Sequence, residues 1–238
     1  MESNLADVNG CRRKQSQQAS GFYSRLSPAA LKDLNSMEFP HCYAANVVLF
    51  SEKHEAEGLF VVLDGEVRLS INSTDGKRLS LQIAKKGEIL GLSSTLSGRP
   101  YEFTAETLYP AKIAPITRRD FLNFLGRHPE AYHAVTEELS RHVSMVCEQL
   151  RTVALSSSAP EKLARLLLEW SESDHPSTDC GSRVRFSMTH EEIGEFIGAS
   201  RETVTRTLST FKTRRLVAFQ GSMLTIPSRT ALASYAGA

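Results

Sequence analysis

The sequence lacks any apolar run approaching the roughly 20 residues that span a bilayer, so it contains no candidate membrane helix. Met1 to Ser20 holds no hydrophobic core segment; no signal peptide is expected, and a cytoplasmic location is the default. Cysteine is scarce. Cys11, Cys42, Cys147 and Cys180 form no C-x-x-C pair, and a four-cysteine metal or iron–sulfur site would have to be assembled from four distant segments. Ordinary thiols are expected rather than disulfides or metal ligands. The one redox handle is Cys11, whose thiol the neighbouring Arg12, Arg13 and Lys14 would acidify. Neither H-E-x-x-H nor G-x-S-x-G occurs, and no nucleophile, base and orienting group come together; His41-Cys42 has no third partner, so an enzyme is not expected. Charge of one sign is also missing: 28 Lys and Arg face 27 Asp and Glu, a net of +1. Such a balance says nothing about partners until the charges are localised.

They are localised near the C-terminus. From Ser200 to Arg229 the cations are Arg201, Arg206, Lys212, Arg214, Arg215 and Arg229, against the single acid Glu202. Six against one leaves a local net of +5, the electrostatic footprint of phosphate contact. The same stretch carries two short helical patterns meeting at Gly198-Ala199. Thr189 and Glu192 form a capping box ahead of Ile193, Phe196 and Ile197. Ser200 caps a second helix with apolar positions Val204, Leu208 and Phe211 and a polar first turn. Arg201 and Arg206 lie roughly 140° apart around that helix, with Glu202 between them. Arginine matches guanine O6 and N7, and glutamate accepts from cytosine N4. A helix-turn-helix with these donors at the start of its second helix suits major-groove reading.

Upstream, the pattern divides the 238 residues into segments. Residues 1–21 are polar and patternless and read as a flexible arm. Residues 22–126 open with short helical turns capped by Ser27-Pro28 and continue as period-two strands around Leu59–Leu63, Val67–Ile71, Leu79–Ile83, Phe103–Leu108 and Lys112–Ile116. Asp64-Gly65 is a hairpin signal, and the alternation after it turns Arg68 and Ser70 away from the core. Gly87 to Ala105 is too long for a hairpin turn; a short helix within a β-roll loop fits, as does a plain structured loop, and Gly91 and Gly98 would let backbone approach a ligand. Residues 127–155 read as one long helix. Its stripe, Tyr132, Leu139, Val143, Val146, Leu150 and Val153, has heptad spacing and forms either a dimer seam or a face packed on the β-domain. Residues 156–238 begin with a hinge, Ser156 to Pro160, and a helix with core face Leu163, Leu166, Leu167 and Trp170. They end in a hairpin, Leu216–Phe219 with Met223–Ile226, attached to the helix pair as a wing. The fold class expected is α+β: an N-terminal β-roll (double-stranded β-helix or jelly roll), a long dimerisation helix and a C-terminal winged helix-turn-helix.

With E-E-I-G-E-F-I-G-A-S-R-E-T-V-T-R, Glu191 to Arg206, the chain resembles the CRP/FNR family of bacterial transcription regulators over about residues 22–230. Leu63 to Val67, L-D-G-E-V, is similar to the roll of cyclic-nucleotide-binding domains. The resemblance implies a homodimer on two-fold related double-stranded DNA, RNA polymerase as a further partner, and a small-molecule effector in the roll. It implies that Arg201, Glu202 and Arg206 read bases, with His190, Ser200 and Thr203 near phosphates. The catabolite-activator pattern implies TGTGA half-sites. Glu202-Thr203-Val204-Thr205-Arg206 stands where FNR-type members carry Glu-x-x-Ser-Arg, which keeps TTGAT open. The expected effector pocket departs from the cyclic-AMP pattern. Its Gly-Glu becomes Gly91-Leu92, and G-R-P-Y-E-F-T-A, Gly98 to Ala105, puts Tyr101 and Glu102 where a phosphate-binding Arg-Ser should be, with Arg99 two residues off. A phosphate there lacks its bidentate arginine, so cyclic AMP is not expected as the ligand. FNR's clustered cysteines are absent as well, and the input is left open: another small molecule, a thiol signal, or none. The competing function is an effector-binding or redox-sensing module with weak, non-specific DNA binding.

Overall fold

The nearly all-apolar run around residue 60 becomes a strand buried on both faces, and the rest of the N-terminal half is arranged around it. The structure is a computed structural model that describes residues 21–155, 158–174, 182–185, 188–221 and 223–236. Residues 1–20 of the expected arm, Cys11, Cys180 and hinge residues Ser156 and Ser157 lie outside the described residues; Gly21, also expected in the arm, already begins a 3-10 turn, Gly21–Arg25. Strand β3 (Gly58–Asp64) turns Phe60 and Val62 into the roll and Leu59 and Val61 outward, onto helices. Burial on two sides removes the polar alternation that a half-exposed strand would show.

Two antiparallel four-stranded sheets face each other. One has the order β1 (His41–Tyr43), β8 (Ala111–Thr117), β3, β6 (Ile89–Leu90). The other has the order β2 (Val48–Phe50), β7 (Thr104–Thr107), β4 (Val67–Asn72), β5 (Arg78–Ala84). Asp64-Gly65 is therefore not a hairpin. β3 pairs with β8 and β6, whereas β4 pairs with β5 and β7, so the chain changes sheets at this point. Gly65, at φ +89°, makes the corner against β8; a Cβ there would stand 2.7 Å from the Ala111 methyl. The true hairpin is the next one, where Ser73 to Gly76 joins β4 to β5.

The outer face of the first sheet is covered by the 3-10 turn at Gly21–Arg25, α1 (Pro28–Met37), α3 (Arg118–Arg127) and the start of α4 (Ala131–Leu150), through Phe22, Leu34, Phe121, Phe124, Ala134 and Val135. Ser27 and Thr117 cap α1 and α3 as their sequences lead one to expect. α4 runs on into a π-helical turn, Arg151–Leu155. The C-terminal unit begins at α5 (Ala159–Asp174), with Ser158 accepting from the Glu161 N–H. Ala159 and Pro160, expected in the hinge, already belong to this helix. Then come β9 (Ser182–Arg185), α6 (His190–Ile197), α7 (Arg201–Thr213) and the hairpin β10 (Ala218–Gln220) and β11 (Met223–Ile226), closed by the short α8 (Arg229–Ala233). β9 adds a third strand to the wing, in the order β10-β11-β9. Leu163, Leu167, Ile193, Phe196, Val204, Leu208 and Phe211 form its core. The α+β class and its order of roll, long helix and winged helix-turn-helix are as the sequence led us to expect.

Candidate nucleic-acid interface

α6 starts where its capping box is complete. Thr189 Oγ1 accepts from the Glu192 N–H at 3.2 Å, and the Glu192 carboxylate accepts from the Thr189 N–H at 2.8 Å. The helix stops at Gly198, at φ +62°, a left-handed conformation that suits glycine. The turn closes on Gly194, where a Cβ would stand 2.4 Å from the Ala199 carbonyl oxygen. This contact lets α7 leave immediately. Ser200 caps it by accepting from the Thr203 N–H at 3.3 Å.

Val204, Thr207, Leu208 and Phe211 are buried, which leaves the opposite face of α7 to solvent. Arg201, Glu202 and Arg206 are all exposed on that face, and Thr203 is half-buried. Its own backbone N–H, the Ser200 hydroxyl and the Arg201 charge hold the Glu202 carboxyl below its ordinary range, so it is ionised and acts purely as an acceptor. The surface combines two guanidinium forks, one fixed carboxylate and a helix N-terminus, which attracts anions. His190 is half-buried beside it, with Nδ1 2.8 Å from Thr205 Oγ1; Thr205 in turn donates to the Arg201 carbonyl. The local +5 is not spread evenly. Lys212 lies over the Phe219 ring, Arg214 over Tyr235, and Arg229 donates to Ser171. These three brace the domain, so Arg201, Arg206 and Arg215 carry the outward charge of α7 and its exit.

The five residues expected to line an effector pocket are dispersed. Tyr101 lies inside the roll, stacked on Phe50 at 4.0 Å, and its hydroxyl donates to the Gly58 carbonyl at 2.6 Å. Burial pushes its pKa up. Gly91 backs the ring, and a Cβ there would meet Tyr101 Cε1 at 2.8 Å. Leu92 begins the short helix α2 (Leu92–Ser97) and packs outward, with Leu59 and Phe121. Glu102 is turned to the surface, where it accepts from Ser93 and Ser94. Arg99 is exposed. The aromatic cluster of Phe50, Phe60, Tyr101 and Phe103 has no local sequence signal, since its members come from two strands, β2 and β3, and the loop before β7.

On α4, Val143 and Leu150 are 63% exposed, Tyr132 51% and Val146 49%. Leu139 instead packs against the core under the roll, and Val153 is half-buried, near Gly198. Among the described residues, no group of three or more His, Cys, Asp or Glu could hold a metal, and no helix is long and apolar enough to cross a membrane. Cys42 and Cys147 are exposed free thiols.

The cyclic nucleotide-binding domain family matches residues 40–128, and the Crp-like helix-turn-helix domain family matches residues 161–235. The chain is 23% identical over 213 residues to a CRP-like cAMP-activated global transcriptional regulator of Mycobacterium tuberculosis, covering 90% of this chain and 95% of that protein. It is 26% identical over 192 residues to the transcriptional activatory protein AadR of Rhodopseudomonas palustris, covering 81% and 79%. The solved structure of FixK2 from Bradyrhizobium japonicum superposes with a TM-score of 0.75 at 21% identity, over 84% of this chain and 98% of that one, which shows the shared fold. With both family domains in order and the capped helix pair displaying its arginines, the chain belongs to the CRP/FNR family and is a DNA-binding transcription regulator.

Proposed function

We propose that this regulator acts as a homodimer on a two-fold related DNA site, and that each α7 reads one half-site with Arg201, Glu202 and Arg206. The observation that carries this reading is their joint exposure on the first turns of a capped helix. His190, Ser200 and Thr203 lie where phosphates would flank that helix. TGTGA-like and TTGAT-like half-sites share a TGA core; the geometry of α7 favours the TGTGA-like one. The Thr205 hydroxyl, which an FNR-like reading needs, already donates to the Arg201 carbonyl and bonds His190. The exposed stripe of Tyr132, Val143, Val146 and Leu150 supports the dimer, because a monomer would leave these side chains in water. RNA polymerase is the further partner this reading adds, beside the DNA-bound dimer.

The M. tuberculosis relative is described as cAMP-activated, but this roll calls for a different input. The Tyr101 ring takes up the interior and is hydrogen-bonded there, and no arginine stands at its position to pair with a cyclic phosphate. Any effector is therefore a molecule other than cyclic AMP. Selection of binding sites from random double-stranded DNA tests the first part: a two-fold site containing TGTGA is expected, and enrichment of a motif without a TGA core overturns it. Calorimetry tests the second, since micromolar heat of cyclic AMP binding is incompatible with the occupied roll.

A further inference from the structure

On β4, Arg68 alternates with inward-facing Val67 and Leu69, so its sequence position points it toward solvent. It is nevertheless 6% exposed, because α6 of the reading head covers that face. Its guanidinium bridges the two domains. Nη2 donates to Glu106 on β7 at 2.9 Å, while Nη1 lies 3.3 Å from Glu195 and 3.6 Å from Glu192, both on α6. Ser80 on β5 donates to the same Glu195 oxygen at 3.2 Å, and Arg78 also reaches Glu106 at 3.0 Å.

We infer that Arg68 is a positioning residue for DNA recognition, seating the reading head on the roll in one orientation. First, α6 carries Glu191, Glu192 and Glu195 beside the DNA-facing surface, and Arg68 neutralises two of them from the other domain. Second, Glu192 also completes the capping box of α6 by accepting from the Thr189 N–H, so the fork grips the start of that helix, next to His190 and its bond to Thr205 on α7. Third, a buried ion pair adds little net stability, and here Arg68 Nε has no acceptor among the described residues. A planar fork with fixed donor directions does, however, specify orientation. Recognition helices in a dimer must stand about 34 Å apart, so orientation of the head translates into half-site spacing.

This inference rests on the proposed dimer and palindrome, and the test separates the two. Wild-type protein selects a site from random DNA. Fluorescence anisotropy then measures affinity for that site and for versions with one or two base pairs inserted or removed between half-sites. Wild type is expected to bind the selected spacing far better than the others. Arg68→Met should bind it at least about tenfold more weakly and discriminate less among spacings. Arg68→Lys, which keeps the charge but not the fork, should recover only part of both. A purely structural role would instead lower affinity for every spacing by one factor, in step with the loss of folded protein. A folded Arg68→Met dimer with that uniform loss, or with wild-type behaviour, overturns the inference. Should Arg68→Met fail to fold, Glu195→Gln decides: it leaves Arg68 paired with Glu106 and must still relax the spacing preference, and an unchanged preference sinks the idea. If wild type selects no palindrome, the dimer reading fails and this inference with it; a palindrome bound identically by the variants removes this inference alone.

Discussion

The turn between α6 and α7 depends on one missing methyl group. A Cβ on Gly194 would meet backbone oxygen, not a yielding side chain, at 2.4 Å. Gly194→Ala must therefore push the two helices apart, and a loss of about 2–3 kcal/mol in chemical denaturation is expected. An unchanged midpoint would mean that the turn tolerates more than its geometry allows. Arg206 makes a different prediction, because it is exposed and carries no packing. Arg206→Ala should leave stability within about 0.5 kcal/mol while weakening specific DNA binding by about 1–3 kcal/mol. The loss should fall on one base position per half-site; an equal loss at every position would make Arg206 a phosphate contact. Capping at Thr189, Ser200, Ser27 and Thr117 was legible in the sequence because a cap is a local bond between residues three apart. Tyr101 was legible only as a missing arginine. That it fills the roll depends on Phe50 and Gly58, more than 40 residues away, which no local pattern encodes.

At the scale of elements, α4 has two faces with different fates. Ala131, Ala134, Val135 and Glu138 are buried against the roll, while Val143, Val146 and Leu150 are not covered. The heptad reading placed all six stripe residues on one seam. The first turns of α4 bend this pattern, because the roll's own core draws Leu139 inward. On the proposed dimer, Val146→Asp places a charge in the seam, and light scattering should report a monomer that has lost specific DNA binding. A persistent dimer would move the seam elsewhere. Glu138 gives this helix a pH dependence. Burial raises its pKa, but hydrogen bonds from His142 and Arg141 outweigh that and hold it at about 2, against an ordinary 4.5. Glu88, 3.8 Å from Arg141, is the other acid in the cluster, and burial raises its pKa. A carboxyl whose folded pKa is depressed contributes its full stability above the ordinary value and loses it as pH falls through the folded one. The Glu138 contribution, on the order of 1–3 kcal/mol, should therefore be complete at pH 6 and fade between about pH 4.5 and 2. Thermal melts of Glu138→Gln should lie below wild type at neutral pH and converge with it near pH 2. A constant gap across the range contradicts the assignment. The misread hairpin at Asp64-Gly65 belongs to this scale too: strand existence was plain from period-two alternation, but strand partnership is a non-local choice between sheets.

At the scale of the whole molecule, Gln149 joins the roll, the long helix and the reading head. It is 8% exposed, and its side-chain amide donates to the Ser80 and Phe196 carbonyls, both at 2.9 Å. Each acceptor needs such a donor. β5 is an edge strand, and Phe196 lies in the last turn of α6, where carbonyls have no intrahelical partner. One side chain on α4 thus satisfies both domains at once, beside the Arg68 cluster. In sequence Gln149 is an ordinary polar position on a helix, and Ser80 an ordinary outward residue of a strand; both acquire meaning only when the second domain lands on the first. Gln149→Leu keeps the volume but removes both donors, leaving two carbonyls without them in a closing interface. The expected cost is about 1–3 kcal/mol. Its form should be loss of cooperativity rather than a simple drop in stability, because neither domain's own core contains the change. Scanning calorimetry should resolve one transition for wild type and two for the variant, with the reading head unfolding first, since its separate core is the smaller. A single transition at the wild-type temperature would show that the domains are coupled through the chain alone, without this junction.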